Sequence, residues 1–130
     1  TPRPSAEEIR SRAVDKERER KNVIAEKWKT ERCESLRQTI EAGYTAIEEA
    51  INLERCHTAF PVKAITPHIL EFPEDNARFR EEQEAEARGR REDVAKVVGR
   101  FFRLKGFYVR IDRYDKPAKK GEPCSISVSW

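Results

Sequence analysis

Cys56 and His57 stand side by side, and a thiol beside an imidazole is the pairing that nucleophilic catalysis uses. Sequence neighbours seldom present their side chains to each other, and no oxyanion-hole or base-orienting signature accompanies this pair. The pair reads instead as a helix-terminal cysteine packed inward and a histidine near the last helical carbonyls. Cys33, Cys56, His57 and His68 add up to four zinc-type donors, but structural zinc sites are built from two close pairs, and only Cys56-His57 is close. Carboxylates are plentiful, yet Glu81, Glu82, Glu84 and Glu86 are interleaved with Arg78, Arg80 and Arg88 at helical spacing. Such mixtures form ion-paired solvent faces. No acidic pair sits in an apolar setting that would raise a pKa for proton transfer, and there is no phosphate-binding glycine loop and no Gly-x-Ser-x-Gly elbow. The sequence therefore predicts no catalytic residue, no metal and no cofactor.

Basic residues are the remaining candidates. Lys96, Arg100, Arg103, Lys105, Arg110, Arg113, Lys116, Lys119 and Lys120 gather in the last third of the chain, beside Tyr108 and Tyr114. Cations next to aromatic rings on an outward strand face are the chemistry that meets phosphates and unstacked bases. Asp112, Asp115 and Glu122 offset part of that charge. The expected partner or phosphate contacts are Arg100, Arg103, Lys105, Tyr108, Arg110, Arg113, Lys119 and Lys120.

Composition bounds what can hold these groups in place. The chain has 130 residues, 39% of them charged, and a net charge of +3. Residues 1–85 carry 15 basic and 18 acidic side chains, whereas residues 86–130 carry 12 and 6. Leu, Ile, Val and Phe together number 27, close to the level at which independent folding becomes doubtful. The balance of opposite charges argues against outright disorder, and a core so lean implies apolar surface buried against another chain. No stretch reaches the roughly 20 apolar residues that span a bilayer, and Thr-Pro-Arg-Pro-Ser lacks the apolar segment of a signal peptide. A cytoplasmic setting follows, with no membrane partner and with the three cysteines reduced. In an oxidising setting the odd count leaves one for an intermolecular disulfide.

The elements can be read in order. Ser5 and Glu8 fit a capping box that starts a helix near Ala6. Asp15 to Asn22 has no hydrophobic residue, so residues 1–22 read as a charged helical arm that is solvated or orders on a partner. Ile24, Trp28, Leu36, Ile40, Tyr44, Ile47 and Ile51 then form the stripe of an amphipathic helix over residues 23–56, with Gly43 as its weak point. Pro61, Pro67 and Pro73 make residues 57–73 a Pro-containing loop, with Ile69 to Phe72 a short edge strand or single helical turn. A second helix over 74–105 begins near Glu74 or Asp75 and passes Gly89, a point of bending or breakage. Its apolar face is Val94, Val97, Val98, Phe101 and Phe102, and Gly106 stops it. Phe107-Tyr108-Val109-Arg110-Ile111 and Cys124-Ser125-Ile126-Ser127-Val128-Ser129-Trp130 alternate with period two around a polar turn-rich gap, which makes 107–130 an antiparallel hairpin. The fold class is α+β, mostly helical, with residues 23–130 as one domain. Phe101 and Trp130 are the expected buried anchors of its C-terminal end, and the strand edges are expected to be free for a second copy or a partner.

The ending Gly106-Phe107-Tyr108-Val109 with Ile126-Ser127-Val128-Ser129-Trp130 resembles small uncharacterised proteins of tailed bacteriophages, which close with a helix, a Gly-aromatic-x-Val strand and a final strand ending in Trp. The resemblance covers about 40 residues. It implies a viral context, in the host cytoplasm or the virion, and a protein-binding or virion-associated role, with no catalytic residue carried over.

Three functions fit these readings: a non-enzymatic assembly protein that self-associates or docks on a larger assembly, a nucleic-acid-binding protein using the basic C-terminal quarter, and an inhibitor of a host protein. The first is the favoured expectation.

Overall fold

The computed structural model describes residues 3–63 and 77–130. The expected start of the second helix at Glu74 or Asp75, the expected element at Ile69 to Phe72, and His68 lie outside the described residues. Helix α1 (Ala6–Asn52) is followed by strand β1 (His57–Pro61), helix α2 (Ala77–Leu104), strand β2 (Tyr108–Arg113), a 3-10 turn (Pro117–Lys119) and strand β3 (Pro123–Ser129). The fold is α+β and mostly helical, with a three-stranded antiparallel sheet in the order β1-β3-β2. By internal contacts the chain divides into two units, Thr1–Glu31 and Arg32–Trp130.

In the first unit, the Glu8 N–H donates to Ser5 Oγ at 3.3 Å, the cap the sequence predicts for the start of α1. Every side chain from Arg3 to Glu19 is exposed, including Ile9 and Val14. Trp28 is the large buried side chain of this unit.

In the second unit the buried line of α1 differs from the expected stripe. Ser35, Thr39, Gly43, Ile47 and Ala50 are buried, whereas Leu36 and Ile40 are only half-buried and Tyr44 and Ile51 are exposed. Small residues occupy the centre because bulky rings from the opposite side fill the space. A Cβ built on Gly43 would lie 2.6 Å from Phe102 Cζ and 2.9 Å from Phe60 Cζ. Gly43 is thus a point of close approach in the helix and not its weak point. Ser35 Oγ donates to the Lys63 carbonyl and the Lys63 N–H donates to Thr39 Oγ1, both at 3.2 Å. Two buried hydroxyls thereby satisfy one backbone unit just beyond β1.

That clamp bears on the main correction to the sequence reading. Residues 57–61, expected to lie in a Pro-containing loop, form a strand that pairs with β3 from His57↔Ser129 to Pro61↔Ser125. The hairpin is therefore two strands of a three-stranded sheet. Trp130 N donates to Cys56 O and Val62 N to Cys124 O, which places the bonded pairs of this ladder at the even-numbered residues of β1 and β3. The backbone groups of His57, Ala59 and Pro61 consequently face away from β3. Pro61, which has no N–H, stands where none is needed.

Both helices end in the same way. At α1, Arg55 N donates to Ala50 O and Glu54 N to Ile51 O; at α2, Phe107 N donates to Phe102 O and Gly106 N to Arg103 O. Each is the paired hydrogen-bond pattern with a left-handed residue one step past the helix, supplied by Gly106 at φ 95 and by Glu54 at φ 58. The customary apolar contact across such a turn is present at α2, where the Phe102 and Phe107 rings are 5.7 Å apart. Gly89 lies inside the continuous helix α2, which neither breaks nor ends there.

The inner face of the sheet buries Phe60, Ile126 and Val128 with Val94, Ala95, Val98 and Phe102 of α2. Phe102 is the hub: its ring lies 5.4 Å from Phe60 and 5.3 Å from both Tyr44 and Phe101. The expected anchors stand at the margin, Phe101 half-buried and Trp130 42% exposed. The alternation of β3 places Trp130 on the buried face, but it follows the last strand residue, and its ring stands edge-on to the half-buried Phe107 at 6.1 Å.

Candidate functional site

Helix α2 packs on one face of the sheet, and the other face carries the exposed side chains of His57, Ala59, Tyr108 and Arg110. Register places Tyr108, Ser129 and His57 in one row across β2, β3 and β1, and Arg110, Ser127 and Ala59 in the next. With Arg55 at the margin these residues line an open groove of about 610 Å³. Tyr108 is 78% exposed, and its floor is made of serine and alanine, side chains too short to cover it.

A third row carries the negative charge. Asp112 pairs in register with Ser125, and its carboxylate takes hydrogen bonds from Ser127 Oγ at 2.5 Å, Ser125 Oγ at 3.2 Å and Arg110 Nε at 2.8 Å. The hydroxyl of Ser127, followed by Arg110 and Ser125, holds the Asp112 carboxyl below its ordinary pKa against the opposing effect of burial. Asp112 therefore orients Arg110 while marking one end of the basic surface. The three serines that alternation assigns to the outer face of the last strand are on that face, and two of them serve this carboxylate.

The other basic residues expected at the site are dispersed. Arg113, beyond an irregularity in the ladder at Asp112/Arg113, turns to α2 and makes a two-pronged ion pair with Glu92 at 2.6 and 2.7 Å, with a further bond to Gly121 O. That pair lowers the pKa of Glu92 and raises that of Arg113. Arg103 Nη2 donates to the Val109 carbonyl at 3.4 Å, on the outer edge of β2. Lys105 lies over the Phe101 ring at 5.7 Å and Lys119 over Tyr114 at 5.4 Å. Arg100 is exposed on α2 and Lys120 in the β2–β3 connection. Of the eight expected contacts, only Tyr108 and Arg110 line the groove. Arg55 and His57 also line the groove, and the sequence does not single them out because nothing local to residues 55–61 announces that this stretch joins the sheet.

A second surface lies on the helices. Val97, Phe101 and Leu104 share one face of α2 at steps of four and three. Leu104 is 77% exposed, and the Tyr44 ring of α1 stands edge-on to Phe101 at 6.2 Å. The result is a solvent-facing apolar seam that continues outward from the core at Phe102.

Cys56, expected to pack inward, is exposed at the bend before β1, and His57 is the exposed first residue of that strand. Among the described residues no group of three or more His, Cys, Asp or Glu could hold a metal ion, and no helix is long and apolar enough to cross a membrane. The architecture that carries these surfaces is α+β, a three-stranded antiparallel sheet with helix α2 against it. No protein-family model, curated protein or solved structure matches the chain.

Proposed function

We propose that this is a non-enzymatic binding and assembly protein whose partner is another protein chain, in the first instance a second copy of itself. The observation that carries the reading is the apolar seam of Tyr44, Val97, Phe101 and Leu104, which is joined to the core yet faces solvent. Contiguous exposed apolar surface of this kind marks interaction sites in soluble proteins. The lean core gives the same direction, since 27 Leu, Ile, Val and Phe residues in 130 leave little apolar surface to spare for solvent. The first turns of α1 add to it. A helical stretch whose side chains are all exposed from Ala6 to Glu19 gains nothing from tertiary burial, and isolated helices of that length are marginal in water. Binding a partner would stabilise it.

The non-enzymatic reading rests on acidic side chains spent in ion pairs with neighbouring arginines, as in Arg37 with Glu34 and Glu41, Arg90 with Glu86 and Arg113 with Glu92. The resemblance of the C-terminal ending to proteins of tailed bacteriophages is the ground for proposing a virion-associated or accessory role, in the host cytoplasm or the virion.

Sedimentation velocity over a wide concentration range tests the reading. The protein is expected to self-associate, and Leu104→Glu, at a site already in solvent, is expected to return it to monomer without changing its circular dichroism. A chain that stays monomeric at every concentration overturns self-association.

A further inference from the structure

We infer that the groove on the outer face of the sheet is a second binding site, distinct from the helix seam, and that it takes single-stranded nucleic acid. Tyr108 and His57 flank Ser129 in one row, two strand spacings or roughly 10 Å apart, so two rings stand on either side of a floor too short to obstruct a planar group. Unpaired bases stack on such rings irrespective of sequence. Arg110 lies next to Tyr108 on the same face of β2, and Arg55 lies at the end of the groove near His57. Two guanidiniums beside two stacking rings match the alternation of phosphate and base along a strand. The Arg110 side chain is 78% exposed while bound to Asp112 through Nε, which leaves its terminal nitrogens to phosphate. Asp112 limits the footprint, because a phosphate continuing into the third row would meet its carboxylate.

A peptide is the weaker fit. The sheet edges through which an extended peptide would add are blunted: Pro61 removes a donor from the edge of β1, and Arg103 occupies the Val109 carbonyl on the edge of β2. The groove floor also lacks an apolar pocket for an anchoring side chain. A duplex is excluded from contact with the rings, since its bases are already stacked.

Fluorescence anisotropy tests the site with the full chain and a labelled single-stranded oligonucleotide of about ten nucleotides, against a duplex of the same sequence, over a rising salt series. Single-strand binding that weakens with salt is expected. Tyr108→Ala is expected to lower affinity by roughly 5- to 100-fold while Tyr108→Phe retains it, and Arg55→Gln and Arg110→Gln each to reduce the salt slope by about one. Lys119→Ala with Lys120→Ala, outside the groove, is expected to bind as the parent does. Circular dichroism confirms that each variant is folded, and His57→Ala provides a second test of the stacking row. The inference is overturned by no binding at the lowest salt, by equal or tighter duplex binding, or by affinity that survives Tyr108→Ala but falls with the lysine pair.

Discussion

Gly43 of α1 lies so close to the Phe102 ring that a single added methyl carbon would sit 2.6 Å from Cζ. Phe102 cannot readily yield, since it is fully buried and has Tyr44, Phe60, Phe101 and Phe107 around it. The glycine sets the distance at which α1 meets α2 and β1 in the second unit.

Gly43→Ala is accordingly expected to destabilise the protein by about 1–3 kcal/mol through overpacking, despite alanine's better helix propensity. Gly89→Ala makes the control: nothing lies within 4 Å of its added Cβ, so it is expected to gain about 0.5–1 kcal/mol. Urea unfolding of the two variants should shift in opposite directions. A loss of equal size at both positions would remove the close-approach account.

Glu54 holds the left-handed position that ends α1, at φ 58. A residue with a Cβ pays about 1–2 kcal/mol for that conformation, and glycine recovers most of it less its own chain entropy. Glu54→Gly is expected to raise stability by about 0.5–1 kcal/mol, read as a higher urea midpoint with an unchanged slope. No gain, or a loss, would mean that Glu54 has a role beyond its backbone.

Stability should fall in acid through two carboxylates. Glu92, bound to Arg113, and Asp112, bound to Ser127, Arg110 and Ser125, are both held below their ordinary pKa in the folded protein. The unfolded chain takes up protons first, at about pH 4. Their contribution is therefore complete above that pH and is lost as pH drops through the depressed folded values. Urea midpoints measured from neutral pH to below pH 4 should decline, and Glu92→Gln with Asp112→Asn should flatten the decline. An unaltered profile in the double variant would place the acid sensitivity elsewhere.

Much of the local structure is legible in the chain itself. Ser5 starts α1, Gly106 ends α2, and the alternation of Phe107 to Ile111 and of Cys124 to Ser129 assigns each strand residue to its face, because all of these depend on backbone geometry within a few residues. Periodicity on α1 misleads by one position: it selects the large apolar side chains, Leu36, Ile40 and Tyr44, whereas the line at closest approach runs through Ser35, Thr39 and Gly43. Size decides the difference, since only small residues admit Phe60 and Phe102, and no local pattern records how near an opposing ring will come.

The site shows the same division. Tyr108 and Arg110 share a face by period two, and the sequence alone determines that. Arg55 and His57 reach the same groove only because β1 pairs with the far side of β3, a contact some seventy residues away in sequence. The sequence likewise determines that the C-terminal third is basic, but only tertiary structure divides that charge. A ladder irregularity sends Arg113 to Glu92, while Asp112 holds Arg110 on the open face. Local propensity acts over a few residues. Pairing, close packing and ion-pair choice depend on which distant groups the fold brings within a few ångströms.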